Sequence, residues 1–183
     1  MKDFIRTDLT FSLCGLNCGL CPMHLGGYCP KCGGGDGNQS CAIAKCSLQH
    51  NKVEYCFLCP EFPCFKYEGI EEYDSFITHQ HQLRDIKRAQ EIGMEAYSKE
   101  QDKKVEILNT LLSDYNDGRR KIFYCVAINL LPLLDIEKVM TQVADTTYLN
   151  EITIKEKAEY VVSHFQNIAN QHGVVLKLRK NKR

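Results

Sequence analysis

The sequence predicts a mostly α protein: a small, irregular, metal-stabilised cysteine-rich N-terminal module with zinc-knuckle-like turns, packed on a C-terminal helical domain. Three observations predict it. Ten of the eleven cysteines fall between Cys14 and Cys64. In that stretch turn formers are dense (Gly33, Gly34, Gly35, Pro60, Pro63) and large apolar residues sparse. Burial alone would not offset its chain entropy, and metal binding, worth on the order of 10 kcal/mol per structural site, is the natural substitute. Beyond about residue 80 the apolar residues instead recur at helical spacing. The expected division is a metal-binding module over residues 1–68 and a helical domain with a short basic tail over residues 69–183.

Composition bounds the function classes. The chain has 183 residues, 44% hydrophobic and 25% charged, an ordinary soluble globular composition. No stretch approaches the roughly 18 apolar residues of a membrane span. Met1–Thr10 is charged and holds no apolar run, so no secretory signal is expected. A cytoplasmic chain meets a reducing medium in which structural disulfides are rare, so abundant cysteine points to metal. Net charge is zero, but unevenly laid out. Residues 1–68 carry six basic and six acidic side chains, residues 69–173 twelve and seventeen, and residues 174–183 five and none. Eight thiolates on two divalent ions would add −8 + 4 = −4 to the first segment. An anionic module repels a phosphate backbone, which binds mainly through Lys and Arg, so nucleic acid is disfavoured as a partner.

Taken in order, residues 1–13 end in the alternating run Leu9-Thr-Phe-Ser-Leu13, read either as a short strand or as an ordered leader packing Phe4, Ile5 and Phe11. The ten cysteines follow at Cys14, Cys18, Cys21, Cys29, Cys32, Cys41, Cys46, Cys56, Cys59 and Cys64. Cys18/Cys21, Cys29/Cys32 and Cys56/Cys59 are C-x-x-C pairs, the gap that lets a tight turn place both sulfurs on one tetrahedral ion. Zinc in closed four-sulfur sites is the first expectation. The alternative is an iron–sulfur cluster, because Cys14-x3-Cys18-x2-Cys21 has the spacing of the cluster motif of radical S-adenosylmethionine enzymes. Ten sulfurs exceed the eight that two sites need. The other two are free, bridge metals, or join His24 and His50 in a third site, although both histidines read better as surface loop residues. Interleaved and sequential ligand pairings fit the spacing equally.

Helices should follow. His81–Ile92 carries Leu83, Ile86 and Ala89 at helical spacing, Gly93 interrupts it, and Met94–Tyr97 continues. Ser98-Lys-Glu-Gln101 resembles a capping box for a helix with Val105, Leu108, Leu111 and Leu112 on one face. Histidines 79 and 81 read as solvent-facing. Asn116-Asp117-Gly118 signals a turn in which Asn116 or Asp117 caps a helix from Arg119 to Leu131. That helix is apolar almost all round and should be the central buried one, with Cys125 as a small buried hydrophobe. Arg119, Arg120 and Lys121 crowd its first turn, the end that favours anions. An anionic ligand or acidic partner would resolve that conflict; pairing with Asp114 and Asp117 on a solvated face is the plainer reading. Pro132 breaks the chain before Asp135 caps Ile136–Val143. Thr153-Ile-Lys-Glu156 is a capping box for a helix that stops before Gly173. Val174–Leu178 reads as an edge strand or docked extension, and the basic tail from Lys177 as a solubilising end.

The series Cys14-Gly-Leu-Asn-Cys18-Gly-Leu-Cys21-Pro22, Cys29-Pro-Lys-Cys32, Cys41-Ala-Ile-Ala-Lys-Cys46 and Cys56-Phe-Leu-Cys59-Pro-Glu-Phe-Pro-Cys64 resembles the cysteine-rich bacterial and archaeal family known as domain of unknown function 3795. The likeness extends through Ile86–Glu95 and Tyr115–Lys121, and it implies metal binding of zinc type. Where many members carry a further cysteine shortly before the position of Cys41, this chain has Asn38-Gln39-Ser40.

The function expected is that of a cytoplasmic binding or adaptor protein whose thiolate-coordinated zinc serves structure. An iron–sulfur redox or radical-type enzyme using Cys14, Cys18 and Cys21 is the alternative. A hydrolytic metalloenzyme lacks support, since no H-E-x-x-H, G-x-S-x-G or P-loop motif occurs and zinc saturated with thiolates leaves no position for water.

Overall fold

The structure, a computed structural model, describes residues 1, 3–36 and 40–181. Asn38 and Gln39, beside the expected further cysteine position, lie outside the described residues, as do Lys182 and Arg183 of the basic tail. The protein is mostly helical, at 55% of the chain. The α-helices are α1 (Pro22–Leu25), α2 (Ala42–Gln49), α3 (Gln82–Ile92), α4 (Met94–Asp114), α5 (Lys121–Leu130), α6 (Leu133–Ala144) and α7 (Ile154–Gln171). No strand forms among the described residues; an isolated antiparallel bridge joins Ile5 and Gly34. No described helix is long and apolar enough to cross a membrane.

The chain divides into two compact units. One is Met1–Asp102 together with the segment that begins at Leu178; the other is Lys103–Lys177. The division falls inside α4, whereas the sequence suggested residue 68. The physical reason is that α3 is built against the first cysteine turn. Gln82 Nε2 donates to the Cys14 carbonyl at 3.1 Å, and Asn17 Nδ2 donates to Asp85 Oδ2 at 2.9 Å. Gly15 makes the approach possible: its φ is +100°, and a Cβ there would stand 2.5 Å from the Gln82 carbonyl oxygen.

The first unit packs around Phe11, Tyr55, Tyr67, Ile86, Ala89 and Tyr97, with a smaller cluster of Phe4, Leu13 and Ala44. The rings of Phe11 and Tyr97 lie 4.7 Å apart, and the Tyr97 hydroxyl, buried with its ring, donates to Asn17 Oδ1 at 2.9 Å. Of the leader residues, Phe4 and Phe11 are buried but Ile5 is 82% exposed. The Leu9–Leu13 run is not a strand. Ser12 is buried between Phe11 and Leu13 because its Oγ accepts from the Leu16 N–H at 2.6 Å, which turns the chain into Cys14 instead of extending it. The basic tail is not loose at Arg179, whose N–H donates to Asp74 Oδ2 at 2.6 Å and whose carbonyl accepts from the Asp74 N–H at 2.8 Å.

The second unit is a helical core. On α5 every residue from Tyr124 to Leu130 is buried, as the all-round apolar sequence requires. Leu108 and Leu111 of α4, Ile136, Val139 and Val143 of α6, and Ala158, Val161, Phe165 and Ala169 of α7 are buried as well. Lys104 lies buried with its Nζ donating to the Leu131 carbonyl at 3.0 Å, which satisfies an orphan acceptor at the C-terminus of α5. The Thr153 box forms in full, hydroxyl to Glu156 N–H and carboxylate to Thr153 N–H.

Two local expectations are corrected, and a third is decided between its two alternatives. Ser98–Gln101 is not a helix start; α4 runs unbroken from Met94, so no loose N–H groups exist there to cap. Asp135 is not an N-cap but a first-turn residue of a helix that starts at Leu133, where it pairs with Lys138 at 2.8 Å and His172 at 2.8 Å. Val174–Leu178 forms no strand; Leu176 is buried there as a docked extension.

Candidate metal centre

All eleven cysteines are free thiols, and the ten of the N-terminal stretch lie in the first unit. Two of the three C-x-x-C pairs share one local geometry. Cys18–Leu20 and Cys56–Leu58 are each a 3-10 turn. The Cys21 N–H bonds the Cys18 carbonyl at 3.2 Å, and the Cys59 N–H bonds the Cys56 carbonyl at 3.0 Å. Both are the compact knuckle that two ligands on one ion require. The third pair, Cys29-Pro-Lys-Cys32, turns instead through Lys31 at φ +71°.

Four of the ten thiols share one cavity. Cys46, Cys56, Cys59 and Cys64 line a cavity of about 30 Å³ together with Tyr67, a space of the order of one small bound species. Cys56 interacts electrostatically with Cys64, Cys46 and Cys59. The other six, Cys14, Cys18, Cys21, Cys29, Cys32 and Cys41, lie along the first cysteine turn, the turn through Lys31 and the N-cap of α2. Helix α2 serves both. Cys41 stands at its N-cap and Cys46 lies within it, about one turn on.

Burial pushes these thiols towards the neutral form. It raises Cys18 to about 12 and Cys56 to about 11, and moves Cys14 and Cys32 the same way. Counter-influences exist at each. The Ser12 hydroxyl lies 3.3 Å from Cys14 Sγ, the Cys32 N–H favours the Cys18 thiolate, and the Leu13 N–H and Arg6 favour that of Cys32. A divalent cation would supply what these lack, since thiols give up their protons when they bind metal as thiolates.

Arg6 carries no signal in the sequence. Its side chain is 2% exposed. Nε donates to the Glu54 carbonyl at 2.9 Å, and Nη1 donates to the carbonyls of Phe11 at 2.9 Å and Cys32 at 3.3 Å. Nη2 pairs with the Glu54 carboxylate at 3.5 Å, and the guanidinium lies 5.1 Å from the centre of the Tyr55 ring. A charge buried this thoroughly next to the cysteines suits an anionic neighbour. Tyr67 was likewise unannounced. Its hydroxyl donates to the Cys14 carbonyl at 3.3 Å and also interacts with Cys56, so it reaches a cysteine of the first turn and one of the cavity.

The donor chemistry fits thiolate-held metal: ten free sulfurs, two knuckles and a fixed cation alongside. Among the described residues no three His, Cys, Asp or Glu side chains stand in an arrangement that could hold an ion. Both histidines have other partners, although His50 also lines the cavity of the four thiols. His24 Nδ1 lies 3.2 Å from the Cys29 carbonyl. His50 Nδ1 lies 2.9 Å from the Cys46 carbonyl and 3.5 Å from its sulfur, with Nε2 3.5 Å from Glu61. At the basic triplet, Asn116 accepts from the Gly118 and Arg120 N–H groups and Asp117 from that of Arg119. Asp117 also pairs with Arg120 at 3.3 Å, so part of the charge conflict at α5 is relieved within the chain. Cys125 is buried in α5, in the other unit from the ten.

Compared with known proteins, the chain matches no family model, no curated protein and no solved structure.

Proposed function

We propose that this is a metal-binding protein whose Cys14–Cys64 segment holds zinc through cysteine thiolates, the metal serving the fold of a binding or adaptor module in a reducing compartment such as the cytoplasm. The observation that supports the proposal is ten free thiols in one compact unit, with two of the three C-x-x-C pairs folded as 3-10 knuckles. The resemblance of the cysteine pattern to domain of unknown function 3795 points the same way. Closed thiolate sites are structural, because they leave zinc no position for a water nucleophile. The chain's contribution is to collect the sulfurs, to balance their charge with Arg6, and to lay α3 against the first turn.

The test is elemental analysis with a visible spectrum on protein purified anaerobically without chelator. A colourless protein carrying zinc is expected. A folded protein without metal overturns the proposal. A brown, iron-bearing protein replaces it with the iron–sulfur reading, in which Cys14, Cys18 and Cys21 hold a cluster.

A further inference from the structure

The second unit has a cavity of its own, and no cysteine lines it. Its volume is about 270 Å³, and Asp114, Tyr115, Val143, Thr146, Leu149 and Lys157 are in its wall, all within Lys103–Lys177. One water needs only about 10–15 Å³ of such space, and pockets for drug-sized ligands take about 300–1,000 Å³. The cleft is therefore of a size for a small metabolite.

Three helix ends frame it. Helix α4 ends at Asp114, and Tyr115 just beyond is fixed by two bonds. Its N–H donates to the Leu111 carbonyl at 3.2 Å, and its carbonyl accepts from the Tyr124 hydroxyl at 2.7 Å. Helix α6 ends at Ala144, and the Thr146 hydroxyl beyond it donates to the Gln142 carbonyl at 2.7 Å. Helix α7 starts at Ile154, with Lys157 in its first turn. Val143 and Leu149 are buried and supply an apolar patch.

The two charged side chains of the wall each stand at the unfavourable end of a helix. A helix C-terminus repels an anion and an N-terminus repels a cation, yet Asp114 is the last residue of α4 and Lys157 belongs to the start of α7. Their neighbours on α7 are settled within the chain: Lys155 pairs with Glu159 at 4.0 Å, and the Glu156 carboxylate serves the Thr153 box. Among the described residues Asp114 and Lys157 are in no ion pair, with each other or with a third group; Asp114 Oδ1 accepts from the Ser113 hydroxyl at 2.7 Å. A ligand carrying one charge of each sign resolves both conflicts. Its anionic end beside Lys157 also meets the N-terminus of α7, and its cationic end beside Asp114 meets the last carbonyls of α4. An anion alone would be repelled at Asp114, and a cation alone at Lys157. A single lysine matches the one charge of a carboxylate better than the nearly two of a phosphate group.

We propose that this cleft binds a free α-amino acid with a small aliphatic side chain, its carboxylate at Lys157, its ammonium group at Asp114 and its side chain against Val143 and Leu149. No bond is made or broken. The site is formed wholly within the second unit and does not rest on the zinc reading.

Titration of the full chain, labelled with ¹⁵N, by L-alanine and L-valine tests it. Saturable shifts are expected at the amides of residues 114, 115, 146, 149 and 157. N-acetyl-L-alanine lacks the ammonium group and L-alaninamide lacks the carboxylate. Each should bind roughly fivefold or more weakly than L-alanine. Lys157→Gln should erase the preference for L-alanine over L-alaninamide, and Asp114→Asn the preference over N-acetyl-L-alanine. Asp114 is exposed and Lys157 half-buried, and the comparison of the three compounds on wild-type protein needs no variant. No saturable shift at these amides with either amino acid would overturn the proposal. So would equal binding of L-alanine and either singly charged analogue, which marks a plain anion or cation site.

Discussion

On α5, a helix of ten residues, every side chain from Tyr124 to Leu130 is buried; across the described part of residues 1–80 the longest α-helix is the eight-residue α2. The two units thus reach order by different means. The second closes a conventional core in which Phe165, Val161 and Ala158 of α7 are fully buried. The first spends its length on turns, including positive φ at Gly15, Lys31 and Gly33, and fixes them with polar contacts to buried atoms, such as Gln82 to the Cys14 carbonyl. Such contacts contribute only about 0.5–1.5 kcal/mol each. A unit so dependent on them, with ten thiols around its aromatic core, is the one that the proposed metal would stabilise.

The widest test of that contrast is chelation. Removing zinc should cost the first unit on the order of 10 kcal/mol per site. In hydrogen exchange, amides across residues 14–64 should lose protection while those of α5, α6 and α7 keep theirs. Equal loss in both units would abolish the distinction. The converse is Phe165→Ala, expected to destabilise the second unit by about 3–5 kcal/mol in urea denaturation while the metal content per chain stays at the wild-type value. Smallest is Thr153→Ala, which removes the cap of α7 at a cost of about 1 kcal/mol. Its pH dependence sharpens the comparison. Bonds from the Thr153 hydroxyl and N–H hold the Glu156 carboxyl below its usual range. A depressed folded value means the box stabilises at pH above the unfolded carboxyl range, roughly 4.3, and fades as pH falls through the folded value. The difference in Tm between wild type and variant should therefore shrink in acid, whereas zinc loss should begin wherever the thiolates protonate.

Legibility followed the same line. In the second unit the burial pattern was plain in the sequence, because a period of 3.6 residues and a Thr-x-x-Glu box are local signals. The exceptions came from reading a local pattern without its context. Ser98-x-x-Gln101 matches a box but sits where the helix already has its hydrogen bonds, and Asp135 follows a helix start set by Pro132. In the first unit the knuckles were legible from spacing, and Gly93 marked the break between α3 and α4, where its φ is +83°. The meeting of Cys46, Cys56, Cys59 and Cys64 around one cavity was not, since spacing along the chain does not say which sulfurs meet in space. Nor was the role of Arg6, which depends on carbonyls far along the chain at Cys32 and Glu54. The place of α3 in the first unit escaped for the same reason, as it rests on Gln82 and Asp85 reaching residues 14 and 17.

The pairing of Asp74 with Arg179 has a bearing on the order of synthesis. The partners stand 105 positions apart, and every residue of the second unit is translated between them. When the ribosome has delivered all ten N-terminal cysteines, and even all of α3, the first unit still lacks the clasp at Asp74: one backbone bond, one bond from the Arg179 N–H to the Asp74 carboxylate, and an ion pair. Metal capture by the nascent chain would therefore precede the final fastening of the unit that holds it, and a ribosome stalled before Arg179 would display the cysteine module loaded but unlatched.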